Sequence, residues 1–254
     1  MNRRRWLAAA GAAFSSTWLA ACDRLNRDPG FSGLLRSAEG LTQRAQRLVT
    51  DRKALAREFT PADISPDFRA NGTRSPQDPD YVALSAAGFA DYRLVVDGLV
   101  ERPQSLTLAD LRALPARSQI TRHDCVEGWS CIGKWKGVPL RLVLDRAVLQ
   151  ERTRYIVFRC ADSLEPSIDE SGQYYESIGL EDAFHPQTIL AYEMNDRPLP
   201  VAHGAPLRLR VERQLGYKMA KYVIKIEAVE SFGHIGMGRG GYWEDRGYEW
   251  YAGI

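Results

Sequence analysis

The chain has 254 residues, which is enough for one sizeable domain or two small ones. Hydrophobic residues make up 44% and charged residues 26%, a composition that excludes a multi-span membrane protein and a disordered chain. The formal net charge is only +2, from 34 basic and 32 acidic residues. A general nucleic-acid-binding protein usually carries a larger positive charge, so nucleic acid is disfavoured as a partner.

Residues 1–21 have the pattern of an export signal. Three arginines (Arg3, Arg4 and Arg5) precede Trp6 and an apolar stretch that runs to Ala21, and this order is typical of a secretory signal. Paired arginines before an aromatic residue and a leucine resemble the twin-arginine export signal. A general secretory signal that merely contains arginines is the alternative.

The end of this stretch resembles a bacterial lipoprotein cleavage box. Leu19 and two alanines precede Cys22, so cleavage would leave Cys22 as a lipid-bearing first residue, and several acyl chains give a stable membrane anchor. Asp23 resembles the signal that retains lipoproteins on the inner membrane. Cleavage leaves 31 basic residues against 32 acidic ones, a net charge of −1. The expected location is the periplasmic side of the inner membrane.

The first part of the mature chain has a helical pattern. From Leu34 to Phe59 apolar residues recur at helical spacing, and Pro61 ends the pattern. We therefore expect an N-terminal helical segment over residues 22–62 and a single domain over residues 63–254. Residues 61–79 are rich in Pro, Asp, Asn and Gly, which predicts a loop.

Short β-like runs dominate the rest of the chain. The pair Asp97-Gly98 predicts a tight turn between a strand at Tyr92–Val96 and a second one at Leu99. Short helices are expected after Thr107, a good N-cap, and after Pro139. Together these patterns predict a mixed, sheet-rich α+β domain, with further strands at Ser118–Arg122, Tyr155–Cys160, Thr188–Tyr192, Leu207–Val211 and Tyr222–Ala228.

Three cysteines remain if Cys22 carries lipid. Cys125, Cys131 and Cys160 are an odd number for an exported protein, so at least one thiol is expected to be free or bound to a metal. Spacing alone equally permits a Cys125–Cys131 disulfide with Cys160 buried.

The residues around Cys125 carry a family resemblance. The stretch from Arg122 to Cys131, RHDCVEGWSC, resembles the metal-binding loop of the sulfite-oxidase-type molybdenum enzymes. Residues 190–208 and 215–222 resemble further segments of that family in the same order, and the likeness covers most of residues 65–250. It is closest to the branch that contains the periplasmic methionine-sulfoxide reductase catalytic subunit. The resemblance implies the fold of that family and a molybdenum-molybdopterin cofactor with a single pterin, its metal bound by the Cys125 thiolate.

The same resemblance implies a set of cofactor-binding residues. The cofactor ends in a phosphate, which guanidinium and ammonium groups bind well: Arg208 is suited to a bidentate contact, and Lys218 or Lys221 to a point charge. For each such residue alone, a surface salt bridge is the simpler interpretation. Asn71 also suits a plain turn and Cys160 also suits a core position. The implied set comprises Arg69, Asn71, Arg122, Cys160, His203, Arg208, Lys218, Met219, Ala220 and Lys221.

The residues that follow Cys125 bear on the direction of oxygen transfer. Sulfite oxidases tend to carry arginines there, whereas this chain has Glu127 and Trp129. A carboxylate repels sulfite and an indole suits a neutral sulfoxide, so we expect reduction of an S- or N-oxide such as a methionine sulfoxide. Tyr174 or Tyr175 occupies the place of the family's active-site tyrosine, which could orient substrate or deliver a proton.

Electrons would have to come from a separate protein, because the sequence has no iron–sulfur or haem motif. The resemblance implies a b-type haem membrane subunit or a periplasmic c-type cytochrome. The tail from Gly233 to Ile254, rich in Gly, Tyr and Trp, is expected to line the pocket or to contact that partner. The alternatives are a sulfite or other small-molecule oxidase on the same fold, and a non-catalytic binding lipoprotein with a Cys125–Cys131 disulfide.

Overall fold

The computed structural model describes residues 40–46, 48, 51, 54–165 and 172–254. Residues Asp51–Ile254 form one compact unit, and Met1–Thr50 form another, within which residues 40–46 and 48 are helical. The predicted export signal and Cys22 lie outside the described residues. None of the helices in the described part is long and apolar enough to span a bilayer.

Short strands and helices alternate through the larger unit. Its strands are β1 (Arg93–Gly98), β2 (Gln104–Thr107), β3 (Arg117–Asp124), β4 (Ser130–Pro139), β5 (Tyr155–Ser163), β6 (Gln173–Gly179), β7 (Ile189–Met194), β8 (Arg197–Pro198), β9 (Arg208–Arg210) and β10 (Val223–Val229). Its α-helices are α1 (Pro79–Ala86), α2 (Leu108–Ala113), α3 (Leu140–Ala147) and α4 (Leu180–Ala183).

The strands form two sheets with the main hydrophobic core between them. One sheet has the order β2-β1-β10-β5-β6, and the other has the order β3-β4-β7-β8 with β9 also paired to β7. Only β1 and β10 pair in parallel among the described strand pairs. Leu94 and Phe158 of the first sheet pack in one buried cluster with Leu190 and Leu209 of the second. This is the predicted sheet-rich α+β architecture.

Except for the strand predicted at Leu99, the predicted strands and caps are present at nearly the predicted places. Thr107 caps α2, since its side chain accepts a hydrogen bond from the Asp110 amide while the Asp110 carboxylate binds the Thr107 amide. Helix α3 follows Pro139, which is its N-cap rather than its first residue. Strand β4 was not predicted, nor was strand β6, which contributes Tyr174 to the cavity described below.

The Asp97-Gly98 turn was predicted wrongly. Strand β1 continues through both residues, pairing Gly98 with Ala228 of β10. Gly98 has φ +83°, and a Cβ there would collide with the Ala228 carbonyl oxygen. Glycine is therefore required by the close approach of two parallel strands rather than by a hairpin.

The helix predicted from the apolar pattern up to Phe59 was also wrong at its C-terminal end. Residues 54–60 contain no helix. The Ala56 amide donates to the Gln187 side chain at 2.7 Å, and the Phe59 amide donates to the Ile120 carbonyl at 2.8 Å. Because these long-range bonds satisfy the backbone, the segment lies extended beside the domain despite its helical spacing.

Candidate active site

A tight loop between β3 and β4 presents Cys125. The Cys125 amide donates to the Trp129 carbonyl at 2.9 Å, and the Gly128 amide donates to the Cys125 carbonyl at 3.0 Å. Gly128 has φ +84°, a conformation that glycine adopts without strain. The hairpin register, with Asp124 opposite Ser130, therefore fixes Cys125 at the base of the loop.

The Cys125 thiol is half-buried and lines a cavity. Burial raises the pKa of this thiol, although the Arg69 and Arg208 charges act in the opposite direction. In the cofactor-free protein the thiol therefore holds its proton at neutral pH. A soft metal bound there would displace that proton, because only the thiolate is a metal ligand.

All three cysteines in the described residues are free. The alternative of a Cys125–Cys131 disulfide is therefore not realised. The thiol of Cys131 instead points into a small buried cluster around Trp135 and lies 3.9 Å from the Asp67 carbonyl.

Strand β6 decides between the two candidate tyrosines. Neighbouring side chains in a strand point to opposite faces of the sheet. Tyr174 lines the same cavity as Cys125, and its hydroxyl donates to the Tyr217 carbonyl at 2.5 Å. The Tyr175 hydroxyl instead donates to the Asp245 carboxylate at 2.6 Å and is not part of the cavity wall.

A buried guanidinium lies behind the cavity. Arg208 of β9 is fully buried and donates to the His203 carbonyl at 3.1 Å and to the Asn71 side chain at 3.4 Å, while its Nε has no partner. Burial and the neighbouring Arg210 lower the Arg208 pKa to about 9. No salt bridge among the described residues joins Arg208 to a carboxylate.

A second cation, Lys221, lines the cavity itself. Its Nζ donates to the carbonyls of Asn71 at 2.7 Å, of Thr73, and of Ala202 at 3.2 Å. Burial and the Arg208 charge lower the Lys221 pKa to about 7. His203 is part of this group too: burial and Arg208 lower its pKa to about 4. The His203 ring is therefore neutral at neutral pH. Arg208 and Lys221 are held mainly by neutral oxygens, which is how a site for an anion is built.

Asp162 is a cavity residue that the sequence reasoning missed. Its carboxylate is 3% exposed, its Oδ1 has no partner, and burial raises its pKa to about 6. Asp162 lies on β5 and lines the cavity, and no sequence signal distinguished it from a surface acid. The cavity wall also includes Gly216, Tyr217, Trp243 and Tyr248.

His123 is packed rather than exposed to the cavity. Its Nδ1 accepts a hydrogen bond from Arg210 at 3.1 Å and lies 3.3 Å from the Met219 sulfur. Its Nε2 faces Gly216, where a Cβ would clash. Burial and the neighbouring arginines lower the His123 pKa well below its usual value, so the ring is neutral.

The structure does not bring every predicted site residue to the cavity. Asn71, Met219 and Lys221 line it, and the Arg69 guanidinium lies 5.3 Å from the Trp129 ring centre. Ala220 is buried, with its carbonyl accepting from the Leu209 amide.

Three of the predicted cofactor ligands lie elsewhere. Arg122 is largely exposed and pairs with Asp124 at 2.8 Å. Lys218 is fully buried, but its ammonium is bound by Glu176 and Glu244 rather than directed to the cavity. Cys160 is buried in the main core and is not part of the wall.

Known proteins resemble this chain over more than half of its length. The family model described as "Oxidoreductase molybdopterin binding domain" matches residues 82–233, more than half of the chain. A candidate protein-methionine-sulfoxide reductase subunit YedZ1 of Azospira oryzae is 42% identical over 65% of this chain and 56% of its own length. The protein-methionine-sulfoxide reductase catalytic subunit MsrP of Xanthomonas campestris is 39% identical over 58% of this chain and 48% of its own length.

The chain therefore spans about half the length of the curated relatives that it matches. Among solved structures, the sulfane dehydrogenase SoxCD from Paracoccus pantotrophus is similar in fold, with a TM-score of 0.50 and 24% identity over 56% of this chain and 39% of that one. This similarity concerns the fold alone.

The residues present fit a molybdenum-pterin group. Such a cofactor carries a phosphate and soft sulfur ligands, so it needs buried positive charge at one end and tolerates a thiolate at the other. Arg208, with its unpartnered Nε, and Lys221 meet the first requirement. Cys125, half-buried in the same cavity as Lys221, meets the second.

Proposed function

Because the chain belongs to the family of oxidoreductases with a molybdopterin-binding domain, we propose that it transfers an oxygen atom at a molybdenum-pterin cofactor and reduces a sulfoxide-type substrate. The cofactor has a single pterin. Cys125 binds the metal, and Arg208, Lys221 and Asn71 bind the anionic end of the pterin. When bound, the cofactor supplies a two-electron redox centre that accepts the oxygen atom.

The observation that carries this proposal is that Cys125, Tyr174 and Lys221 line one cavity, and that the buried Arg208 guanidinium, whose Nε has no partner, bonds Asn71 in its wall. A phenol at this place can orient a sulfoxide oxygen and deliver a proton to it. Burial and the Glu176 charge raise the Tyr174 pKa well above its usual value. The phenol therefore keeps its proton at neutral pH. That proton is bonded to the Tyr217 carbonyl, and it would have to turn from this carbonyl to reach the substrate.

The substrate class follows from the charge around the cavity mouth. Glu127 lines the cavity, and its carboxylate accepts a hydrogen bond from the Trp129 indole at 2.9 Å. A carboxylate at this position opposes an anionic substrate such as sulfite and tolerates a neutral sulfoxide. The names of the relatives, protein-methionine-sulfoxide reductase subunits, point to the same class.

We also propose how the protein reaches the membrane and which proteins supply its electrons. The protein is exported by the twin-arginine route and anchored through lipid on Cys22 at the periplasmic side of the inner membrane. A b-type haem membrane subunit or a c-type cytochrome delivers the electrons. Mass spectrometry of Cys22 in the membrane fraction tests the anchor, and an unmodified cysteine there would refute it.

The central test is elemental analysis of protein purified after native export, with released pterin measured in parallel. We expect bound molybdenum and pterin in the wild type, reduction of a sulfoxide by the loaded enzyme, and loss of both metal and activity in Cys125→Ser. Cys131→Ser is the matched control, since that thiol lies six residues away but outside the cavity. Molybdenum retained by Cys125→Ser would contradict the role of the thiolate.

A further inference from the structure

The C-terminal tail supplies part of the cavity wall. The family model ends at residue 233, yet Trp243 and Tyr248 line the cavity together with Tyr217. We call these three side chains the aromatic wall. Two of its three members thus come from a segment that lies beyond the matched domain.

The rings of the aromatic wall are packed against one another. Trp243 and Tyr248 are stacked with their centres 5.3 Å apart and an interplanar angle of 26°. Tyr217 meets Tyr248 edge to face at 5.2 Å. These are the favourable aromatic geometries, so the three rings form one continuous apolar surface.

Buried acids hold the tail in this position. Glu244 is 1% exposed and accepts from the Lys218 ammonium at 2.5 Å. The Asp245 carboxylate accepts from the Tyr175 hydroxyl at 2.6 Å and from the Met237 amide at 2.9 Å. Glu244 and Asp245 directly follow Trp243 in the chain, so these buried contacts hold the aromatic wall in place before a ligand binds. This lowers the entropy that is lost when the ligand binds.

The chemistry of the aromatic wall selects apolar groups. Ring faces attract sulfur and C–H groups but offer nothing to pair with an anion. Val126, which is 47% exposed and follows the metal-binding cysteine, adds an apolar contact to the same cavity. A ligand whose reacting group lies at Cys125 would place its organic substituent against these rings.

We propose that the aromatic wall is a specificity subsite that favours sulfoxides with a bulky apolar or aromatic substituent over small sulfoxides. This inference rests on the proposed function and adds a substrate preference to it. It assigns Trp243 and Tyr248 as specificity-determining residues that contact the organic part of the substrate.

The experiment compares two substrates in the loaded enzyme with reduced benzyl viologen as electron donor. The variants are Trp243→Phe, which keeps a ring, and Trp243→Leu, which keeps apolar volume without one. In Trp243→Leu we expect the preference in kcat/KM for methyl p-tolyl sulfoxide over dimethyl sulfoxide to fall about tenfold, or about 1.4 kcal/mol. We expect this loss to appear mainly in KM. Trp243→Phe should retain most of the preference.

A binding measurement separates this inference from the proposed function. Methyl p-tolyl sulfone, which carries the same substituent, is titrated into the oxidised enzyme with intrinsic fluorescence as the readout. Trp243→Leu should weaken its binding about tenfold, as an apolar ring contact of this kind predicts. Trp250→Phe is the matched control: it removes an indole from the same tail, but one that bonds Ser177 outside the cavity.

The outcomes are distinct. Unchanged preference and unchanged sulfone binding in both Trp243→Leu and Tyr248→Ala would overturn the subsite, even if the wild type reduces sulfoxides. Sulfone binding that depends on Trp243, in an enzyme that reduces neither sulfoxide, would support the subsite and refute the proposed function. Molybdenum content and thermal unfolding confirm that each variant is folded and loaded.

Discussion

Tyr174 and Tyr175 show how strand geometry assigns different roles to two identical neighbours. Tyr174 and Cys125 line the same cavity, whereas the Tyr175 hydroxyl donates a hydrogen bond to the buried Asp245 carboxylate. Burial together with the Asp245 hydrogen bond raises the Tyr175 pKa above its usual range. The proposed function therefore assigns the chemistry to Tyr174, while Tyr175 binds the tail.

The two phenols make a matched pair of substitutions. Tyr174→Phe should lower kcat for sulfoxide reduction about a hundredfold, the scale of a lost proton donor, with molybdenum content unchanged. Tyr175→Phe should instead lower the free energy of unfolding by about 1–3 kcal/mol, because it removes one hydrogen bond to the buried Asp245 carboxylate. Steady-state kinetics and chemical denaturation measure the two effects, and an equal loss of kcat in both variants would contradict the assignment.

Lys221 gives the anion site a dependence on pH. Its pKa of about 7 lies below its usual value because of burial and Arg208, so its charge is lost as pH rises through about 7. Asp162 beside it, with a pKa of about 6, gains negative charge over nearly the same range. Both changes weaken anion binding at higher pH, and His203, with a pKa of about 4, stays neutral throughout.

Sulfate is a suitable probe because its charge is constant near neutral pH. We expect sulfate to bind the cofactor-free protein more tightly at pH 6 than at pH 8, as measured by titration calorimetry. Lys221→Met should weaken binding at pH 6 and remove most of the pH dependence. A wild-type affinity that does not change with pH would contradict the site described.

At the scale of elements, the tail is tied to the turn after β9 and to β6 by a buried charge cluster. Lys218 lies between Glu176 and Glu244, at 2.5 Å from each, and all three side chains are excluded from solvent. Burial opposes the charge on Lys218, but the two carboxylates outweigh it and raise its pKa. Burial and Glu244 raise the Glu176 pKa well above its usual value.

Removing the Lys218 ammonium from this cluster should destabilise the folded protein. Lys218→Met leaves two buried carboxylates without their counter-charge, which is expected to lower the free energy of unfolding by about 3–5 kcal/mol. Lys136→Met is the control, since the Lys136–Glu193 pair is partly exposed and such pairs contribute about 0–1 kcal/mol. Urea denaturation compares the two variants, and similar losses would show that the buried cluster does not hold the tail.

At the scale of the whole molecule, the site collects unpaired positive charge from segments far apart in the chain. Arg208, Lys221 and the Asn71 loop meet only in the folded unit, with Arg208 Nε left unpartnered. Burial without a counter-ion destabilises the folded state. A bound anionic cofactor would relieve that cost and bind the folded state only.

Loading should therefore raise the melting temperature. We expect Tm of the cofactor-loaded protein to exceed that of the cofactor-free protein by about 5–10 °C, by linkage between binding and folding. Arg208→Met should stabilise the cofactor-free form, because it removes an unpaired buried charge. It should therefore reduce the difference in Tm between the loaded and the cofactor-free protein. Differential scanning calorimetry measures both, and equal melting temperatures in the wild type would count against a site built for the cofactor.

Features that depend on local chemistry could be predicted from the amino-acid sequence. The cap at Thr107, the strands around Tyr155 and Val223, and the class of the domain follow from side-chain periodicity and capping. The motif around Cys125 and the segments after it indicated the family, because short-range order along the chain is visible without a structure. Gly98 was predicted as a turn residue, but the structure requires glycine there because of its contact with Ala228, 130 residues away in the chain.

Which of the candidate residues lie together could not be predicted from the sequence and depends on the folded structure. Lys218 and Lys221 lie three residues apart, yet one is bound by two carboxylates in the interior and the other lines the cavity. Asp162, Trp243 and Tyr248 reach the same cavity from β5 and from the tail. Such juxtapositions depend on how two sheets pack and how a tail is anchored, and packing between distant segments is not encoded in any local pattern.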